Sequence, residues 1–125
     1  MIVLALVVAG VRSALVVAAV TGLANLTTVA LASTISVARA PLPDANLWPS
    51  NHTTAVAAAG MALLLIFRGS LRWPAWLLAY GMCVGIALML LIRGTHLLSD
   101  IVAALIVAGF WTAVGAHVLR AHASS

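Results

Sequence analysis

The sequence predicts an all-α protein, a polytopic transmembrane helix bundle with about four spanning helices and a short N-terminal stub. Of its 125 residues, 65% are apolar and only 6% are charged, whereas about a quarter of the residues in a soluble domain are charged. The apolar residues form stretches long enough for helices to cross a bilayer. Polar turns containing arginine or proline separate these stretches, and the length indicates one domain, residues 1–125.

The predicted elements follow one another with short connections. Residues 1–12 are apolar but too short to cross a bilayer, so they are interpreted as a stub. This stub is either the remnant of a preceding helix or an interfacial segment. The apolar stretches after it predict spanning helices over residues 13–37, 52–67, 73–92 and 96–119.

The charged residues predict the orientation of the bundle. If the chain crosses at each span, one side carries Arg12, Arg68, Arg72 and Arg120. The other side carries Arg39 and Arg93 together with Asp44 and Asp100. The positive-inside rule makes the first side cytoplasmic, so the starts of the second and fourth spans face outward. The net charge of +4 is interpreted as a topology signal and not as a nucleic-acid surface, because the sequence has no basic cluster.

The composition predicts the kind of organism from which the protein comes. All basic residues are arginine, and alanine and valine are abundant, which favours a bacterial genome rich in G and C. The predicted location is therefore the bacterial inner (plasma) membrane, with several crossings and a periplasmic functional face.

The segment HLLSD begins the fourth predicted helix. His96 and Asp100 are four residues apart, so a helix would place them on one face. A carboxylate that accepts from one imidazole nitrogen leaves the other nitrogen free as a nucleophile or base. Arg93 is available to neutralise a phosphate bound at the helix N-terminus. The alternative interpretation is structural: Asp100 caps the helix and His96 lies at the membrane interface.

The segment PSNHTT begins the second predicted helix. Ser50 and Asn51 are suited to capping that helix, and His52 would act as a general acid if it faced His96 across a phosphate ester. Helix starts also prefer serine, asparagine and threonine for purely structural reasons. The convergence of both segments at one membrane level favours a functional site, since ionisable groups near a bilayer are scarce.

Together these segments resemble the type 2 phosphatidic-acid phosphatase family, whose superfamily includes vanadium haloperoxidases and bacterial acid phosphatases. The second motif of that family reads PSGH, and its third motif ends in HxxxD. Membrane members are helical bundles that dephosphorylate lipid phosphates and pyrophosphates at the outer face. The resemblance covers roughly residues 25–119 and corresponds to the last four of the usual six helices.

The resemblance implies a role for each matching residue. His96 would be the nucleophile that forms a phosphohistidine, and Asp100 would orient it. His52 would protonate the leaving alkoxide. Ser50 and the backbone at Asn51 would hold phosphate oxygens. The family's mechanism implies neither a metal nor another cofactor.

The sequence departs from the family in its phosphate-binding residues. The first motif consists of a lysine, six further residues and Arg-Pro; Arg39 matches its arginine, but Ala32 stands at the lysine position. Asn51 replaces the glycine of PSGH. Leu90 stands where an arginine is expected six residues before the histidine, and Arg93 is the predicted substitute.

The predicted function is therefore hydrolysis of a phosphoric monoester or pyrophosphate, with a membrane lipid or polyprenyl phosphate as the substrate. The alternative is a catalytically weak or inactive relative that binds lipid headgroups or serves as a structural membrane subunit. A homo-oligomer or a partner membrane subunit is compatible with both functions. An unrelated membrane protein is the third possibility.

Overall fold

The computed structural model describes residues 1–34, 49–67, 69–94 and 96–121. Its helices are α1 (Ile2–Thr34), α2 (Asn51–Ile66), α3 (Arg72–Ile92) and α4 (Leu98–Ala121). A short 3-10 turn, Gly69–Leu71, leads into α3, and the described residues contain no strand. The predicted all-α class is therefore confirmed.

Helix α1 joins the predicted stub, residues 1–12, to the first predicted span. The helix extends to both sides of Gly10, whose φ of 83° and ψ of 172° interrupt the helical backbone. Glycine tolerates a positive φ because it has no Cβ, so the chain kinks here and then resumes helical geometry. The stub is thus a helical segment that leads into the first span. The predicted end of that span, residues 35–37, lies outside the described residues.

Helix α2 is the central helix of the bundle. It packs against α1, α3 and α4, whereas α3 and α4 scarcely touch each other. A Cβ on Gly60 would lie 3.3 Å from Ala79 Cα, so the backbones of α2 and α3 approach closely there. The buried residues of α2 are mostly small: Thr53, Thr54, Ala57, Ala58, Gly60, Ala62, Leu63, Leu65 and Ile66.

Two hydrogen bonds fix the direction of α1 relative to the other helices. Near its start, Arg12 Nη2 donates to the Val118 carbonyl of α4 at 3.3 Å. Towards its end, Thr28 Oγ1 donates to Thr54 Oγ1 in the first turn of α2 at 2.9 Å. A backbone bond from Ser50 N to the Asp100 carbonyl joins the starts of α2 and α4. Helices α1 and α4 therefore run antiparallel, and the end of α1 reaches the level at which α2 and α4 begin.

Three helical segments are long and apolar enough to cross a membrane: α1, Gly69–Ile92 and α4. Helix α2 is apolar too, but its 16 residues make about 24 Å of helix, less than the roughly 30 Å of a hydrocarbon core. Large apolar side chains cover the outside of the bundle; Val7 is 78% exposed and Ile92 is 84% exposed. The chain is a multi-pass membrane protein with a central helix shorter than a full span.

Candidate functional site

The site is built where α2 and α4 begin, and Ser50 is its first component. Ser50 is the N-cap of α2, and its side chain accepts a hydrogen bond from Thr53 N at 3.3 Å. Its backbone N donates to the Asp100 carbonyl in the first turn of α4 at 3.3 Å. Ser50 is fully buried. The starts of the two helices are thus joined directly at this residue.

Helix α4 begins at Leu98, two residues later than the predicted start at His96. Asp100 Oδ2 accepts a hydrogen bond from Leu97 N at 2.9 Å. A third-position acidic side chain that reaches back to the N-cap amide is one half of a capping box. This bond makes Leu97 the N-cap of α4, so His96 precedes the helix and does not lie one turn from Asp100 on its face. Asp100 therefore caps α4, as the alternative interpretation of HLLSD predicted.

His96 and Asp100 nevertheless lie side by side. His96 Nδ1 is 3.5 Å from Asp100 Oδ2, and both side chains are buried. This distance allows charge attraction when the imidazole is protonated, and Nδ1 makes no hydrogen bond to the described residues. A small rotation of the imidazole ring would bring Nδ1 within hydrogen-bond distance of the Asp100 carboxylate, which would satisfy a buried nitrogen that is otherwise costly to leave without a partner.

The other nitrogen of His96 faces Ser50. His96 Nε2 lies 3.4 Å from Ser50 Oγ. The imidazole therefore lies between the hydroxyl of α2's cap and the carboxylate of α4's first turn. This arrangement holds an imidazole with one nitrogen towards a carboxylate and the other towards a polar helix start, as a nucleophile or general base requires.

A layer of buried threonines that sequence reasoning missed supports Ser50. Thr54 Oγ1 donates to the Ser50 carbonyl at 3.0 Å and accepts from Thr28 Oγ1 of α1 at 2.9 Å. Thr53 Oγ1 donates to Ser50 Oγ at 3.0 Å. All three threonines are fully buried. The available signal was the pair of threonines directly after PSNH, since buried hydroxyls in a membrane helix need partners.

The other predicted site residues either have exposed side chains or lie outside the described residues. His52 and Asn51 lie in the first turn of α2 with exposed side chains, at the same end of the bundle as His96. Arg93 follows α3 at this end and is exposed. Arg39 lies outside the described residues. The contacts given above bring together Ser50, His96 and Asp100, and none of them involves His52, Asn51 or Arg93.

The positions at which the resembled family has further cations are apolar in this structure. Ala32 is 6% exposed and lies one helical turn beyond Thr28. Leu90 is 5% exposed in the last turns of α3. Any cationic help for a bound phosphate must therefore come from elsewhere. The described residues contain no group of three or more His, Cys, Asp or Glu side chains that would hold a metal ion.

No family model, curated protein or solved structure matches this chain.

Proposed function

We propose that this protein is a membrane phosphatase that hydrolyses a lipid or polyprenyl phosphate ester through a phosphohistidine on His96. The observation that carries the proposal is the position of the His96 ring, with Nε2 3.4 Å from Ser50 Oγ and Nδ1 3.5 Å from Asp100 Oδ2. The resemblance of PSNHTT and HLLSD to the phosphatase motifs points to the same chemistry.

The first step forms the phosphoenzyme. The Asp100 carboxylate favours a proton on Nδ1 of His96, which leaves the lone pair of Nε2 for attack. Nε2 bonds to phosphorus as the ester P–O bond breaks. Protonated His52 gives its proton to the departing alkoxide, so that the product leaves as an alcohol. His52 ends this step as a neutral base.

The second step releases phosphate. His52 takes a proton from a water molecule as the water oxygen attacks the phosphorus of the phosphohistidine. The P–N bond breaks, its electron pair returns to Nε2, and inorganic phosphate leaves. Both histidines then have their starting protonation states, so the cycle is closed.

The start of α2 would supply groups that bind phosphate. The first-turn amides of an α-helix lack internal partners and carry the positive end of the helix dipole. The amide of Asn51 and the hydroxyl of Ser50 would donate to phosphate oxygens at the start of α2. Arg93 and Arg39 would supply positive charge in place of the cations replaced by Ala32 and Leu90.

The distribution of arginines supports an external site. Arg12 bonds to Val118 near the end of α4, and Arg72 and Arg120 lie at that same end of the bundle, opposite the site. The positive-inside rule makes that end cytoplasmic. A site at the outer end of apolar helices would reach a lipid phosphate while the lipid tail stays in the bilayer.

A second function is favoured by a specific observation. Ser50 caps α2 and Asp100 caps α4, so both side chains have structural roles without catalysis. A catalytically weak relative would use the same helix starts to bind a lipid headgroup, or would serve as a subunit of a larger membrane assembly.

Phosphate release separates the two functions. We expect purified wild-type protein in detergent to release phosphate from a polyprenyl or glycerolipid phosphate, and the His96→Ala variant to release none. An acid-labile phosphohistidine should be trapped in wild type and absent from His96→Ala. Equal release by both proteins would favour the binding or structural role.

A further inference from the structure

Ser50 Oγ forms hydrogen bonds with Thr53, a residue that has no part in the proposed reaction. A serine hydroxyl has one proton to donate and two lone pairs that accept. Thr53 donates to Ser50 Oγ twice, from its backbone N at 3.3 Å and from its Oγ1 at 3.0 Å. Both lone pairs are thereby occupied, and only the Ser50 proton is left for the side facing His96 Nε2, 3.4 Å away.

We propose that Thr53 is a positioning residue, which holds the Ser50 hydroxyl as a hydrogen-bond donor towards the phosphate pocket. This inference rests on the proposed function. In the free protein the Ser50 proton points at Nε2 of His96. When a phosphate enters, the same proton turns to a phosphate oxygen and frees the lone pair of Nε2 for attack.

The hydroxyl of Thr53, and not its backbone N–H, determines whether Ser50 can act only as a donor. The bond from Thr53 N is the ordinary N-cap bond and occupies one lone pair of Ser50 Oγ. Without the second bond, from Thr53 Oγ1, a free lone pair of Ser50 could face the anionic phosphate and repel it. Ser50 and Thr53 are both fully buried, so bulk water is poorly placed to supply the missing donor.

The test compares variants that differ in one hydroxyl. Thr53→Val keeps the shape of the side chain and removes the donor, whereas Thr53→Ser keeps the donor. Thr54→Val is the matched control, because it removes an equally buried hydroxyl that bonds to the Ser50 carbonyl and not to Ser50 Oγ. Thermal unfolding of each variant in detergent identifies any general loss of the fold.

The first readout is the affinity for inorganic phosphate, the product of the proposed reaction. We expect Thr53→Val to bind phosphate about tenfold more weakly than wild type, as expected when a hydrogen bond to a charged group is impaired. Thr53→Ser should bind phosphate almost as tightly as wild type. The dissociation constant of Thr54→Val for phosphate should stay within about twofold of the wild-type value.

The second readout needs no ligand. The ¹⁵N resonance of His96 Nε2 reports whether a hydroxyl donates to it. We expect the Nε2 resonance of Thr53→Val to move towards that of Ser50→Ala, in which the donor is absent, and that of Thr53→Ser to stay near wild type.

The two readouts separate the inference from the proposed function. An unchanged Nε2 resonance in Thr53→Val would overturn the role of Thr53, even if the wild-type protein is an active phosphatase. A shifted resonance in a protein that binds no phosphate would support the hydrogen-bond arrangement and count against the phosphatase. Equal loss of phosphate affinity in Thr53→Val and Thr54→Val would also overturn the inference.

Discussion

Asp100 Oδ2 lies 3.5 Å from Nδ1 of His96 and also accepts the Leu97 backbone N–H at 2.9 Å. One carboxylate oxygen therefore contributes both to the start of α4 and to the surroundings of the candidate nucleophile. Because His96 lies outside the helix, their proximity does not come from helical spacing. It comes from the turn that the carboxylate closes. The folding of this turn and the orientation of the imidazole are thus linked through one atom.

Replacing Asp100 by asparagine should separate these two roles. The amide oxygen of Asp100→Asn can still accept from Leu97 N, so α4 should keep its start, and the unfolding midpoint should change little. The negative charge beside Nδ1 is lost, so we expect turnover of a lipid phosphate to fall by about a hundredfold or more. Phosphate release and thermal unfolding of the same preparation test both expectations.

Ser99→Ala is the matched control for this prediction. Ser99 Oγ donates to the other carboxylate oxygen, Asp100 Oδ1, at 3.2 Å, so its loss leaves the charge in place. Turnover by Ser99→Ala should stay close to wild type. If Asp100→Asn and wild type release phosphate at the same rate, Asp100 is a helix cap only.

The two histidines should differ in their dependence on the leaving group. An aryl phosphate with an acidic phenol needs no proton from the enzyme when its P–O bond breaks, whereas a lipid alkoxide does. We therefore expect His52→Gln to form one phosphohistidine per site from the aryl ester and to release little phosphate from the lipid ester. His96→Gln should form no phosphoenzyme from either ester. A rapid-quench burst measures the difference.

His117→Gln serves as the control for the histidine variants. His117 is exposed near the end of α4, opposite the candidate site. Its burst and its steady-state rate should match wild type. A burst of normal size from His96→Gln would assign the nucleophile to another residue and refute the proposed mechanism.

The helical fold could be predicted from the sequence because a membrane leaves few alternatives. Backbone groups in hydrocarbon must bond within their own segment, so an apolar stretch of sufficient length indicates a helix. The sequence did not predict that α1 kinks at Gly10 and then continues as one helix, because it does not reveal which backbone conformation a glycine adopts. The central position of α2 was not predicted either, because it depends on packing between helices that are distant in sequence.

The candidate site was located by its motifs but not in its details. PSNHTT and HLLSD placed Ser50, His96 and Asp100 near two helix starts, and the fold brings those starts together. The buried hydroxyls of Thr28 and Thr54 were not singled out. A threonine in an apolar helix usually bonds to the carbonyl of its own preceding turn, so its sequence does not show whether it also bonds to a neighbouring helix.

Glycine packing gives a stability prediction within α4. A Cβ on Gly115 would lie 2.6 Å from Val20 Cγ2, and Val20 is a stiff, buried side chain. Overpacking of this kind costs about 1–3 kcal/mol, whereas alanine gains roughly 1 kcal/mol over glycine in a helix. Because the new Cβ would also lie 3.1 Å from Val16 and 3.2 Å from Leu65, we expect the cost to exceed the gain. Gly115→Ala should therefore lower the unfolding midpoint in mixed detergent micelles.

Gly109→Ala is the matched variant on the same helix. A Cβ at Gly109 meets no atom within 4 Å, so only the gain in helix propensity applies, and the midpoint should rise or stay unchanged. If both variants shift the midpoint in the same direction, the close approach of α1 and α4 at Gly115 is not the cause.

The orientation of the bundle predicts which residues a membrane-impermeant maleimide reaches. Cys83→Ala removes the natural thiol. A single cysteine is then introduced at one of two exposed positions: Leu97→Cys lies beside the candidate site, and Ser70→Cys lies in the turn at the opposite end of the bundle. Because the arginine-rich end should face the cytoplasm, we expect Leu97→Cys to be labelled in intact bacterial spheroplasts. Ser70→Cys should be labelled only after the membrane is permeabilised. The reverse pattern would place His96 and Asp100 on the cytoplasmic side and contradict the predicted external site.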